Sequence, residues 1–325
     1  MQKGQAMNIL FITHNRLGDA VLSSCIINQL HQRYPQAQFT IVTGKIPAEL
    51  FLAVPNLSQL IIINKAKYHS HWIKLWSKCI FKRWDIVVDC RGSAISWLLW
   101  TRQRFYKYPP HTKQIHRVKR YAGMMQQAQP ALPKIWITDT HRRKADQLLP
   151  TNTPIIAIGP AANWRAKTWR AEHFIELIKQ LRAEKGLFPN AHIVLIAAPS
   201  ERPQIQPILE ATSPDYVTDL VGTQDLLTIA ACIARSILYI GNDSGLMHMA
   251  AAMETPTIGL FGPTDQQKYA PYGPHCLVIN TPESPEQLMN YEGFHWLTCD
   301  SLMDSIHVSD VLAGITNLLK IRVKN

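Results

Sequence analysis

Residues 239–252 read YIGNDSGLMHMAAA and join a strand to a helix through a short polar turn. The apolar run 237–240 has the length of a strand, and the Ala- and Met-rich run 246–253 favours a helix. The first amides of such a helix, together with its dipole, attract anions, and Ser244 and Gly245 allow a phosphate to approach closely. Asp243 and His248 add polar side chains beside the turn. The segment predicts either a phosphate site or an ordinary turn that Asp243 or Ser244 caps, with His248 packed inside.

Strand-like and helix-like segments alternate along the rest of the chain, which predicts parallel sheets with helices on both faces. Predicted strands lie at 8–13, 39–42, 60–63, 85–89, 155–158, 193–197, 217–221, 237–240 and 256–261. Predicted helices lie at 20–34, 47–54, 139–149, 171–184, 201–210, 226–234, 246–253 and 308–319. A proline-rich crossing at 130–154 predicts two domains, residues 1–150 and 151–325.

Composition limits the class of protein. At 325 residues and 46% hydrophobic content the chain can form two packed domains. No apolar run approaches the roughly 18 residues that span a bilayer, and six scattered cysteines without a C-x-x-C pair favour reduced thiols in a cytoplasmic protein. The chain has neither G-x-G-x-x-G after the first strand nor a P-loop motif, which argues against a dinucleotide dehydrogenase and a P-loop enzyme.

Asp19 follows the first predicted strand, at the edge where open α/β sheets place their sites. A carboxylate at this position could act as a general base toward a sugar hydroxyl. Arg16, three residues earlier, could hold Asp19 or a substrate anion. The alternative is that Asp19 only caps the helix that follows and complements its dipole.

The formal charge of +11, from 34 basic and 23 acidic residues, favours a polyanionic or membrane-surface partner. Many basic residues fall between positions 65 and 120 among five tryptophans. Such a mixture is typical of a surface that binds phosphate groups at a membrane interface, or of one that binds nucleic acid. The alternative is a solvated basic face with the tryptophans in the core. The residues concerned are Lys65, Lys67, Lys74, Lys78, Lys82, Arg83, Arg102, Arg104, Lys107, Lys113, Arg117, Lys119 and Arg120, with Trp72, Trp76, Trp84, Trp97 and Trp100.

Four motifs occur in one order along the chain. They are NRLGD at 15–19, DIVVDCRG at 85–92, GPA at 159–161 followed by Lys167 and Trp169, and GNDSG at 241–245 followed by LFGPTD at 260–265. The ordered set covers nearly the whole chain and resembles glycosyltransferase family 9, the lipopolysaccharide heptosyltransferases. The resemblance implies a GT-B fold, in which two Rossmann-like doubly wound domains face each other across a cleft.

The resemblance also implies a reaction. Members of the family transfer heptose from ADP-heptose to the lipopolysaccharide inner core on lipid A, with inversion and without a metal or other cofactor. The resemblance places the acceptor on the N-terminal domain and the nucleotide sugar on the C-terminal domain. Nothing in the sequence demands a dimer, so a monomer is expected, and the basic, Trp-rich region predicts association with the anionic inner membrane surface.

Site residues follow from the same motifs. Asp19 matches the catalytic base, and Lys167 matches the basic residue that stabilises the leaving diphosphate. The donor-site residues are Asp243, Ser244, Gly245 and His248. Arg16 and Arg91 are expected near the acceptor.

Two other enzymatic interpretations stay open, a GT-B transferase for another nucleotide sugar and a GT-B-like nucleotide-sugar epimerase. A nucleic-acid-binding protein is a third, which the charge favours. The chain lacks an RNP, KH or helix-turn-helix pattern, so nucleic acid is not the expected partner.

Overall fold

A computed structural model describes residues 7–64, 70–109, 114–296 and 298–323. The chain divides into two compact units, Met1–Trp136 and Ile137–Asn325. The predicted boundary at 150 lies further along the chain, inside the second unit. The reason is Arg235, whose guanidinium donates to the backbone oxygens of Ala145, Leu149 and Pro150 and so ties the segment 139–150 to the C-terminal unit.

The N-terminal unit is built on five parallel strands in the order β3-β2-β1-β4-β5. The strands are β1 Asn8–Ile12, β2 Gln38–Thr43, β3 Leu57–Ile62, β4 Trp84–Asp89 and β5 Thr101–Phe105. Its helices are α1 Leu17–Arg33, α2 Ser70–Cys79 and α3 Arg117–Met124, and Ile46–Phe51 and Ala94–Leu98 form short 3-10 segments. The apolar runs of β1 and β4 are buried because helices cover both faces of a parallel sheet.

The C-terminal unit is built on six parallel strands in the order β11-β10-β9-β6-β7-β8. The strands are β6 Ile155–Gly159, β7 His192–Leu195, β8 Val217–Asp219, β9 Leu238–Asn242, β10 Thr257–Phe261 and β11 Cys276–Asn280. The helices are α4 Asp139–Leu148, α5 Ala171–Arg182, α6 Arg202–Glu210, α7 Leu226–Arg235, α8 Gly245–Ala252, α9 Gln266–Tyr269, α10 Pro285–Met289 and α11 Val308–Val323. Short 3-10 segments lie at Arg165–Lys167 and Pro199–Glu201.

Each unit is a doubly wound sheet, as the alternation of strands and helices predicts. In the N-terminal unit the chain changes direction between β1 and β4, and in the C-terminal unit it does so between β6 and β9. Ligands of open α/β sheets bind beyond the carboxyl ends of the strands at such a crossing. The loops after these four strands are therefore where functional side chains are expected.

Candidate functional site

The predicted strand, turn and helix of residues 238–252 are confirmed. Asn242 ends β9, and α8 begins at Gly245 with Ser244 as its N-cap residue. The Ser244 backbone is extended (φ −146°, ψ 171°), and its side chain makes no capping hydrogen bond. The amides at the start of α8 are thus not bonded by the capping side chain, which leaves the geometry that anion-binding helix N-termini use.

Asn242 fixes the loop that follows β6. Its side chain is fully buried; Oδ1 accepts a hydrogen bond from the Trp169 amide at 3.0 Å, and Nδ2 donates to the Pro160 carbonyl at 2.8 Å. One buried side chain therefore holds both ends of the segment 160–169 against the end of β9. Trp169 is itself fully buried.

That loop carries Lys167 to Asp243. Lys167 Nζ lies 3.2 Å from Asp243 Oδ2, and His248 Nε2 lies 3.9 Å from Asp243 Oδ1. The Asp243 side chain is 9% exposed and that of Lys167 is 14% exposed, so solvent screens the pair only weakly. The structure thus brings together, at the β6/β9 crossing, the residues that the sequence assigned to the donor.

Two polar residues of the segment 198–204 join this site and were not predicted. Glu201 accepts the Ala198 amide at 2.9 Å; burial raises the pKa of Glu201, while its hydrogen bond and the positive charge of Lys167 oppose that shift. Gln204 exchanges two hydrogen bonds with the Ala162 backbone, at 3.4 and 3.3 Å. The signal available in the sequence was the polar run 200–204, a few residues after the end of β7 and at the same edge of the sheet as Lys167.

A polar pocket of about 440 Å³ opens beyond the carboxyl ends of β10 and β11 in the same unit. It includes part of the LFGPTD motif, so the last motif of the resemblance also lies at this edge of the sheet. The pocket is lined by Phe261, Gly262, Thr264, Asp265, Gln266, Gln267, Asn280, Thr281, Pro282, Glu283, Ser284, Pro285, Glu286 and Gln287.

In the N-terminal unit, Asp19 lies in the first turn of α1, just beyond the end of β1. Its Oδ1 is 3.3 Å from Arg117 Nη2, and the two side chains are 20% and 17% exposed. Arg16 is the exposed N-cap residue of α1. The arginine that holds the Asp19 carboxylate is therefore Arg117 from α3, and not Arg16.

His14 is uncharged beside this pair. Burial lowers the pKa of His14 to about 4; the negative charge of Asp19 opposes the shift, and Arg117 and Arg91 add to it. At neutral pH the imidazole carries no charge that could compete with Arg117 for the Asp19 carboxylate.

Arg91 approaches the same loop from the end of β4. Its guanidinium donates to Asn15 Oδ1 at 3.2 Å and lies 4.8 Å from the centre of the Trp72 ring. The buried Asp89 accepts the amides of Arg91 and Ser93 at 2.9 and 2.8 Å and fixes the turn, in which Gly92 has a positive φ of 62°. The NRLGD and DIVVDCRG motifs therefore meet at the β1/β4 crossing.

The described part of the chain lacks a cluster of metal-ligating side chains and a membrane-spanning helix. Residues 7–64, 70–109, 114–296 and 298–323 contain no group of three or more His, Cys, Asp or Glu side chains that could hold a metal ion. Over the same residues, none of the helices has the length and apolar character needed to cross a bilayer.

Each unit is a doubly wound parallel sheet with polar motifs at its strand crossing, and the fold belongs to the GT-B class. The sequence model of glycosyltransferase family 9 (heptosyltransferase) matches residues 70–292, which is more than half of the chain. The chain belongs to this family and is a glycosyltransferase.

Individual relatives agree with this assignment. The chain is 23% identical to the lipopolysaccharide core heptosyltransferase OpsX of Haemophilus influenzae over 83% of each sequence. Its fold matches the crystal structure of a family 9 glycosyltransferase from Veillonella parvula, with a TM-score of 0.77, 20% identity, and coverage of 96% and 97% of the two chains. It also matches the structure of E. coli ADP-heptose lps heptosyltransferase II, with a TM-score of 0.73, 24% identity, and coverage of 96% and 98%.

Proposed function

We propose that this glycosyltransferase moves a heptose from ADP-heptose to the inner core of lipopolysaccharide, by an inverting displacement that needs no metal. The observation that carries the proposal is the mostly buried Lys167–Asp243 pair beside the N-terminus of α8. Membership of family 9 and the likeness to structures of lipopolysaccharide heptosyltransferases support the choice of sugar and acceptor.

The donor site supplies positive charge from two sources. Lys167, paired with Asp243, provides a charged donor, and the first turn of α8 provides a helix dipole and amides that no capping side chain bonds. Together they offset the diphosphate charge that grows as the bond between the sugar carbon and the phosphate oxygen breaks. Asp243 holds Lys167 in place within the site, and His248 lies beside the other oxygen of the Asp243 carboxylate.

The acceptor side supplies the base. The acceptor oxygen forms the new bond to the anomeric carbon, its proton passes to the Asp19 carboxylate, and ADP leaves from the opposite face. Arg117, 3.3 Å away, holds the Asp19 carboxylate in position for this step. Arg91 and Arg16 bind anionic groups of the acceptor.

Nucleotide selectivity tests the donor assignment. Calorimetric titration with ADP, GDP and UDP, each with and without EDTA, should show selective binding of ADP that EDTA leaves unchanged. A preference for GDP or UDP would leave the assignment as a transferase intact and would change the proposed donor nucleotide. Absence of binding by all three nucleotides would reject the donor site, and loss of ADP binding in EDTA would reject metal independence.

We also propose that the basic aromatic segment, residues 70–105, docks the enzyme on an anionic membrane. Six of its large apolar side chains are exposed: Ile73, Trp76, Phe81, Trp97, Leu98 and Trp100. Trp84 is buried in the core, while Lys65, Lys67 and Lys113 lie outside the described residues. Exposed apolar side chains among lysines and arginines suit the boundary between acyl chains and phosphates.

Neutralising Lys74, Lys78 and Arg83 to Gln should weaken binding to phosphatidylglycerol-containing vesicles by roughly a hundredfold at low salt. Each cation near an anionic surface contributes about 1 kcal/mol, so three contribute about 3 kcal/mol. Sedimentation with anionic and with pure phosphatidylcholine vesicles measures the change. The matched control neutralises the exposed Lys179, Lys185 and Lys320 of the C-terminal unit; equal binding by the two triple variants would contradict the proposal.

A further inference from the structure

An apolar groove of about 670 Å³ runs between α2 and the 3-10 segment Ala94–Leu98 in the N-terminal unit. Its volume falls in the range of about 300 to 1,000 Å³ that small-molecule sites occupy. At its rim Ile73 is 67% exposed and Leu98 is 59% exposed. Six of the eight lining residues are apolar, and the full lining is Trp72, Ile73, Trp76, Arg91, Ser93, Ala94, Ile95 and Leu98.

Single exposed apolar side chains are common on soluble proteins, but a contiguous apolar concavity marks a binding surface. A peptide is a poor occupant of this one, because a bound backbone needs hydrogen-bond partners and the wall offers few. Its polar side-chain groups are those of Arg91 and Ser93 and the indole N–H groups of Trp72 and Trp76, and the Trp76 N–H already donates to the Leu98 carbonyl at 3.4 Å. A hydrocarbon chain needs no such partners. The wall therefore favours an acyl chain over a polypeptide.

Arg91 connects the groove to the proposed acceptor site. The guanidinium lines the groove, lies over the Trp72 ring at 4.8 Å and donates to Asn15 at 3.2 Å. Asn15 belongs to the NRLGD motif, four residues before the proposed base Asp19. A molecule that binds Arg91 is thus placed both at the loop of the proposed base and at the mouth of an apolar wall.

The charge around the groove selects an anionic molecule. Residues 70–109 contain eight lysines and arginines and only two acidic residues, Asp85 and Asp89. Asp85 pairs with Arg102 and accepts the Asn8 amide, and Asp89 is buried and accepts hydrogen bonds from its own turn. Both carboxylates are therefore already bonded within the protein, and the remaining basic side chains give the segment a large positive excess.

We infer that this groove binds one hydrocarbon chain of the lipid-linked acceptor while Arg91 binds an anionic group of the same molecule. The inference rests on the proposed function, since it assigns part of the acceptor of that reaction. The enzyme then recognises its acceptor as an amphiphile, through an apolar tail as well as through its sugars.

Two acceptors that differ only in their acyl chains test this assignment. The wild type should show a kcat/KM at least about tenfold higher for the acylated than for the fully deacylated acceptor, because burying two methylene groups already accounts for roughly that factor. Ala94→Phe, which fills the groove, and Leu98→Gln, which makes its rim polar, should each reduce that preference toward unity. Ala128→Phe, at an exposed alanine elsewhere in the same unit, should keep it.

Binding of monomeric lysophosphatidic acid, followed by calorimetry, gives a readout that does not depend on transfer. Ala94→Phe and Leu98→Gln should each weaken it about tenfold, and Ala128→Phe should leave it unchanged. Near-ultraviolet circular dichroism verifies that each variant is folded. Equal binding by the wild type and both groove variants overturns the groove assignment, whereas failure of the wild type to use either acceptor overturns the proposed function.

Discussion

Replacing Asp19 by Asn should lower kcat by about a hundredfold to ten-thousandfold, the range that a positioned general base contributes. The amide keeps the size of the side chain and can still accept the hydrogen bond of Arg117, so the local packing is preserved. What it loses is the ability to take the proton of the acceptor hydroxyl. Steady-state assays should show the loss in kcat, with little change in the KM for the donor.

Asp139→Asn is the matched control, because the Asp139 side chain is 91% exposed and lies in the C-terminal unit. It should retain wild-type kinetics. If Asp19→Asn also retained its kcat, Asp19 would not be the base. Asp89 is a poor replacement for it, because it is fully buried and its oxygens accept hydrogen bonds from Arg91 and Ser93.

Replacing Lys167 by Ala should weaken ADP binding by roughly ten- to a hundredfold, since a hydrogen bond to a charged group contributes about 1.5 to 3 kcal/mol. It should also lower kcat by about a hundredfold or more, because the departing diphosphate loses its charged donor. Calorimetry with ADP and single-turnover assays measure the two effects separately. Lys179→Ala, at an exposed lysine of α5, serves as the control.

Lys167→Ala also removes the cation beside the mostly buried Asp243 carboxylate, so some loss of stability is expected. The double variant Lys167→Ala, Asp243→Asn separates stability from function. Urea unfolding should show the double variant to be more stable than Lys167→Ala, because the uncompensated carboxylate is gone. The proposed role needs the Lys167 charge beside the diphosphate. If the double variant regained ADP binding as well as stability, that role would be wrong.

Most of the fold could be predicted because the central strands are continuous apolar runs, as β1, β4, β6 and β9 show. The strand β5 escaped prediction because its sequence TRQRF is polar and it lies at an exposed sheet edge. The helices α2 and α3 lie outside the predicted helices, because their many lysines, arginines and tryptophans indicate a basic surface and hide the helical period. The apolar run of β11, in contrast, carried a readable strand signal that was overlooked.

The candidate site was predictable where its residues follow strands within recognisable motifs, as with Asp243, Ser244 and Asp19. Partners from distant parts of the sequence were not. Arg117 reaches Asp19 across 98 residues, and the loop at 160–169 depends on Asn242, more than seventy residues away. Sequence spacing says nothing about such pairs, because the packing of helices on the sheet decides them.

Each cluster of polar residues is complete within one unit. Lys167, Asp243 and His248 all belong to Ile137–Asn325, whereas Asp19, Arg117 and Arg91 all belong to Met1–Trp136. Under the proposed assignment of acceptor and donor, substitutions that change the acceptor in one half need not disturb the Lys167–Asp243 contacts in the other. Such a division lets evolution exchange or diversify the two halves of the gene separately, and chimaeras that join homologous halves are a direct route to altered acceptor choice.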